Sequence, residues 1–149
     1  MIRDRLLATV GGMERFVSSF SWRTFSPDRR AEEAVLGGCD YADRGLAELS
    51  AVGATPEMAE IWLSRFVKLW GNYQAAGART ANYMITGPAR FPVEKNRKAM
   101  EIERKRGEEL FAFVEGARGW VEHKLRQDAK RQLVLDAEAN GGMVIKIHR

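Results

Sequence analysis

Thr55-Pro56-Glu57-Met58-Ala59-Glu60-Ile61-Trp62-Leu63-Ser64-Arg65-Phe66-Val67-Lys68-Leu69-Trp70-Gly71-Asn72-Tyr73 is the stretch on which the fold turns. Its first three residues form a helix start. The threonine hydroxyl can accept from a first-turn amide, the proline sits where an N–H has no helical partner, and the carboxylate meets the positive end of the helix dipole. Ile61, Trp62, Phe66, Leu69, Trp70 and Tyr73 then recur at helical spacing, which predicts a helix over about 56–76 with one aromatic-rich face. That much aromatic surface on one stripe is expected to centre a core rather than to stack a ligand. The predicted class is mainly α: a single-domain helical bundle over 1–149, with one long C-terminal helix and a short β-type C-terminal tail.

Towards the N-terminus, Leu6, Val10, Met13, Val17 and Phe20 alternate four- and three-residue spacings and predict a first helix. Gly11-Gly12 weakens it by up to about 1 kcal/mol per glycine, so a bend or break is expected there. Ser26-Pro27-Asp28 repeats the start signal. The short helix it opens is expected to end at Gly37-Gly38, and Asp40 is expected to cap a further short helix to about Ser50.

Towards the C-terminus, a turn over 77–91 leads to the longest helical pattern, about 92–139. Its apolar side carries Met100, Leu110, Phe111, Val114, Val121 and Leu125. Gly107 and Ala117 lie on or near that stripe and would let another helix approach closely. Between Glu94 and Glu109 charged residues of both signs dominate, so this part is expected to project or to cover the body thinly. Asn140-Gly141-Gly142 is a stop signal. Met143-Val144-Ile145-Lys146-Ile147 is β-type, and since a lone strand forms no sheet it pairs with an unrecognised strand, docks as a tail or stays disordered.

Hydrophobic residues at 45% and charged residues at 30% describe an ordinary globular chain, and no apolar run reaches the roughly 20 residues of a membrane span. The N-terminal apolar stretch is cut by Gly11-Gly12-Met13-Glu14-Arg15, which speaks against a signal peptide. Cys39 is the only cysteine, so an intrachain disulfide is excluded and a reducing compartment fits. Residues 1–74 carry 9 basic and 10 acidic side chains and residues 75–149 carry 15 and 10, so an electrostatic partner should meet the second half.

The most distinctive string lies in that half: Asn82-Tyr83-Met84-Ile85-Thr86-Gly87-Pro88-Ala89-Arg90-Phe91-Pro92-Val93-Glu94-Lys95-Asn96-Arg97-Lys98. Gly87-Pro88 favours a turn, and Pro92 pushes Phe91 out of the helical region, so Thr86 to Phe91 is expected to be an ordered, non-helical lead-in to the long helix. Phe91 and Val93 are expected to bury, while Arg90, Lys95, Arg97 and Lys98 stay at the surface. Such basic groups at a turn and helix start suit phosphates or an acidic surface, but the reading as a rigid turn that orients the long helix comes first, and both can hold together. The candidate binding residues are Arg79, Asn82, Thr86, Arg90, Lys95, Asn96, Arg97, Lys98, Arg104, Lys105 and Arg106.

The run Tyr83 to Val93, continued by Lys95-Asn96 and the charged helix, resembles a segment that recurs in proteins of bacteriophages, prophages and conjugative plasmids, including domains associated with large polyvalent proteins. The resemblance covers a minor part of the chain and implies a mobile-element accessory protein in the bacterial cytoplasm, engaged in nucleic-acid handling or in inhibiting host defence. Small phage proteins without enzyme motifs are similar in character to anti-CRISPR proteins. The reading that follows is an inhibitor that binds a CRISPR effector nuclease or its guide RNA. Its alternatives are a direct DNA- or RNA-binding accessory protein and a homo-oligomeric structural protein built on the aromatic helix and the Gly107 stripe.

No catalytic, metal or cofactor site is expected. His123 and His148 have no carboxylate or cysteine at ligand or triad spacing, Glu32-Glu33 and Glu108-Glu109 fall on charged helix faces, and Cys39 has no basic neighbour to activate it.

Overall fold

A computed structural model describes residues 1–87 and 91–141, apart from the side chains of 83 and 84. Its helices are α1 (Ile2–Thr9), α2 (Met13–Ser18), α3 (Pro27–Ala51), α4 (Pro56–Gly77), the single turn α5 (Tyr83–Thr86), α6 (Val93–Glu115) and α7 (Ala117–Ala139). The chain is mainly helical, and the described residues contain no strand. The β-type stretch 143–147 lies outside the described residues.

The helical start at Thr55 forms as its residues dictate, with Thr55 Oγ1 accepting from the Met58 amide at 3.2 Å and Pro56 in the first turn. Met58, Trp62, Phe66 and Trp70, four residues apart, are buried, and Leu69 and Tyr73 are half-buried beside them. Ile61 falls off this stripe and is exposed. Trp62 stacks between Phe66 and Phe113, with centroids 5.5 and 5.3 Å away.

Gly37-Gly38 does not end a helix: α3 runs unbroken for 25 residues, and no second helix starts at Asp40. The cause is tertiary. Ala31, Val35, Gly38, Ala42, Gly45 and Leu49 are buried on one side of α3, and the indoles of α4 lie in the notches its glycines leave. A Cβ on Gly38 would lie 2.7 Å from Trp70 Nε1 and 2.9 Å from Leu6 Cδ1, and one on Gly45 would fall on the benzo ring of Trp62. Gly38 against Trp70 and Gly45 against Trp62 make α3 and α4 an antiparallel pair. Ser26 does not cap α3 with its hydroxyl; its amide donates instead to Thr24 Oγ1 at 3.2 Å.

The expected break in the first helix is a full stop. Gly11 adopts φ +84°, and the amides of Gly11 and Gly12 turn back to the carbonyls of Ala8 and Leu7. This closure caps the last turn and needs a left-handed residue, which glycine supplies without Cβ strain. Gly53, at φ +83°, closes α3 in the same way through Gly53 N to Ser50 O and Ala54 N to Leu49 O. Stopping α1 resets the angular register, so Phe16 joins Leu6 and Phe20 in the core while Val10, Met13 and Val17 are only half-buried.

The predicted long helix is broken at Gly116 into α6 and α7. α6 packs chiefly against α4, and α7 packs against α3. Gly107 and Ala117 do admit a close neighbour, and that neighbour belongs to the same chain: a Cβ on Gly107 would lie 3.1 Å from Tyr73 Cε1. The buried face of the aromatic helix and Gly107 itself pack within the chain, while Met100 and Phe111 of the same stripe stay exposed. The charged first part of α6 covers α4 thinly, with nothing before Gly107 fully buried, while it is the distal half of α7 that stands away from the body.

Candidate partner-binding groove

The distinctive string is clipped to the rest of the chain by backbone. The Asn82 amide donates to Trp22 O at 2.7 Å, and Asn96 Oδ1 accepts from the Ala81 amide at 2.7 Å. Asn96 also donates to Met100 Sδ at 3.5 Å, and the Thr86 hydroxyl donates to Asn82 O at 3.2 Å. The Thr86 and Asn96 side chains, with the backbone of Asn82, therefore hold the turn together. The lead-in itself is partly helical, because α5 takes in Thr86, and Gly87 follows at φ +84°. Arg90 lies outside the described residues.

The basic residues of α6 divide into two sets. Arg97 pairs with Glu94 at 2.9 Å, Arg106 with Glu109 at 2.7 Å, and Arg104 with both Glu101 and Glu108, each one turn away. Lys95, Lys98 and Lys105 are exposed and make no ion pair among the described residues, nor does Arg79. Lys98 and Lys105, two turns apart, share the outer side of α6. Much of the positive charge predicted for a partner is thus balanced within the helix.

The other flank of α6 carries apolar side chains. Val93 was expected to bury, yet Val93, Met100 and Phe111 are 64%, 53% and 37% exposed. The reason is angular: Val93, Met100 and Gly107 recur every seventh residue on a line beside the face that meets α4. Only Gly107, lacking a side chain, closes onto Tyr73. A groove of about 780 Å³ follows this line, floored by Tyr73, Phe91, Val93, Met100, Gly107 and Phe111, with Arg97, Arg104, Glu101 and Glu108 along its rim.

At Tyr73 and Glu103 the groove meets two smaller recesses, of about 290 and 430 Å³, each lined by Arg23, Arg30, Tyr73 and Glu103. Arg23 lies with its guanidinium 4.4 Å above the Phe20 ring and donates from Nη2 to Glu103 Oε2 at 3.3 Å. Its other terminal nitrogen is buried without a hydrogen-bond partner among the described residues. Burial pulls the Arg23 guanidinium below its ordinary range and pushes the Tyr73 phenol above its own. The pair rests on the end of α4, where a Cβ on Gly77 would come within 2.5 Å of Glu103 Oε2 and 2.8 Å of Arg23 Nη2.

Arg23, Arg30 and Tyr73 were not among the candidate binding residues read from the sequence. Arg23 sits in an irregular segment with no local pattern to mark it, and Tyr73 reads as core. The heptad line of Val93, Met100 and Gly107 was the one legible signal. His123 is exposed, and burial raises the Cys39 thiol above its ordinary range, which disfavours the thiolate. Among the described residues no three His, Cys, Asp or Glu side chains converge as metal ligands, and no helix is long and apolar enough to cross a membrane. The chain matches no family model, no curated protein and no solved structure.

Proposed function

We propose that the chain acts by binding rather than catalysis, as a mobile-element accessory protein that inhibits a bacterial CRISPR effector nuclease by seating a segment of it in the α4–α6 groove. The observation that carries this reading is the row Val93, Met100 and Phe111, left exposed along a recess large enough for several side chains. Contiguous apolar recesses of this kind mark interaction sites. The segment that fits presents apolar side chains to the floor and hydrogen-bonding groups to Arg97 and Arg104. The resemblance of Tyr83 to Asn96 to phage and plasmid proteins suggests the class of partner. A net charge of +4 is wrong for a nucleic-acid mimic, which would be strongly acidic, and so favours a direct protein contact.

A second reading, contact with guide RNA or with DNA, is supported by Lys95, Lys98 and Lys105, whose charges have no carboxylate partner among the described residues. Copurification from cells that express CRISPR effectors of several types separates the two. The groove reading expects one effector type to be retained and its cleavage reduced, Met100→Glu to abolish retention, and Lys98→Glu with Lys105→Glu to leave it intact. The reverse pattern, with a gel shift that weakens steeply between two salt concentrations, selects nucleic acid. Retention of no effector together with unchanged phage restriction overturns the proposal.

A further inference from the structure

The distal half of α7, from Arg126 to Ala139, is free of the core: none of its residues is buried, and only Ala137 is half-covered. At about 1.5 Å per residue this is a rod roughly 20 Å long. A helix that stands in water is normally polar all round. This one carries Leu133, Val134 and Leu135 at its middle, 65%, 44% and 50% exposed. Around that apolar middle the charges are split. Arg126, Lys130 and Arg131, with Asp128 among them, precede it, and Asp136 and Glu138 follow it.

We infer that the distal half of α7 pairs antiparallel with the same segment of a second copy, with the two-fold axis near Val134. An isologous contact requires each end of the segment to complement the other end. Here the basic end and the acidic end flank an apolar centre, which meets that requirement, whereas a foreign partner has no need of it. With Val134 on the axis, Lys130 and Glu138, one turn to either side on the same face, lie across from Glu138 and Lys130 of the other copy, and Leu133 and Leu135 point about 100° to either side and flank the seam. Parallel pairing would set acid beside acid and base beside base. A contact this short belongs at the small end of protein interfaces, so the dimer forms at concentrations on the order of 100 µM. None of the groove residues is used, and the inference stands or falls independently of the proposed function.

Sedimentation equilibrium of the full chain from about 10 µM to about 1 mM tests it. The expected mass rises from 16.8 kDa towards twice that value. Val134→Asp should hold the monomer mass throughout with an unchanged circular dichroism spectrum. Lys130→Glu should weaken association at least tenfold, and Lys130→Glu combined with Glu138→Lys should restore it. A monomer mass at every concentration overturns the inference. So does a dimer indifferent to Val134→Asp, or one that the charge-swapped pair fails to restore.

Discussion

Gly37 and Gly45 lie on the same helix and should respond oppositely to alanine. No atom lies within 4 Å of a Cβ on Gly37, so Gly37→Ala should gain about 0.5–1 kcal/mol from helix propensity alone. Gly45→Ala gains the same propensity but drives a methyl group into the Trp62 ring, and overpacking of about 1–3 kcal/mol or more should leave a net loss. Urea midpoints of the two variants check both signs. The same comparison explains why Gly37-Gly38 misleads when read as sequence: a glycine pair is a stop only where nothing packs over it, and here an indole from α4 does. At the surface, Arg3 donates from both terminal nitrogens to both oxygens of Glu32, at 2.9 and 3.0 Å, and holds that carboxyl below the ordinary glutamate range. A carboxyl depressed in the folded state adds stability that is present above its unfolded pKa and lost as pH falls through the folded value. An NMR titration should therefore place the Glu32 midpoint below the ordinary glutamate range, and Arg3→Gln should raise it. A midpoint already ordinary in the unsubstituted protein would mean that the pair does not persist in solution.

The Pro-led helix starts and the ends near Gly77, Ala51 and Ala139 were legible, and what happens at the glycines inside the helical patterns was not. Thr55-Pro56 and Ser26-Pro27 announce α4 and α3 through local chemistry, which a sequence carries in full. Whether an internal glycine breaks a helix depends on what lies opposite. Gly11 and Gly53 terminate helices, Gly38 does not, and Gly116 breaks a pattern whose Val114, Ala117 and Val121 keep helical spacing straight across it. The two halves of α7 make the same point in energy. Val121 is fully buried against the body, and Val121→Ala should cost about 2 kcal/mol. Leu133→Ala should change stability by less than about 0.5 kcal/mol at micromolar concentration, as expected of a surface position. Chemical denaturation of both variants decides it, and a comparable loss at Leu133 would show that the distal half folds back onto the body.

At the scale of the whole molecule, the candidate groove draws on more of the chain than the string singled out in the sequence. Asn82 to Met100 does border the groove, yet Asn96 and Thr86 fasten the turn, Arg97 and Arg104 are balanced by glutamates a turn away, and the apolar floor comes from residues read as core. Arg23 and Arg30 line the recesses beside the groove from far along the chain, a juxtaposition that no local pattern encodes. That distance also orders events in time. The α3–α4 pair joins neighbours in sequence through a short turn, whereas Arg23 meets Glu103 across 80 residues and Asn82 must find Trp22. Loop closure makes the local pair the natural nucleus and the distant clasps late. Stopped-flow kinetics should then show Leu49→Ala slowing refolding, and Arg23→Gln accelerating unfolding with little effect on refolding. Equal effects on both rates would remove the order. If it holds, the Arg23–Glu103 clasp is the last contact to form and the first to part, so the recesses it lines beside the groove can open without disturbing the helices beneath.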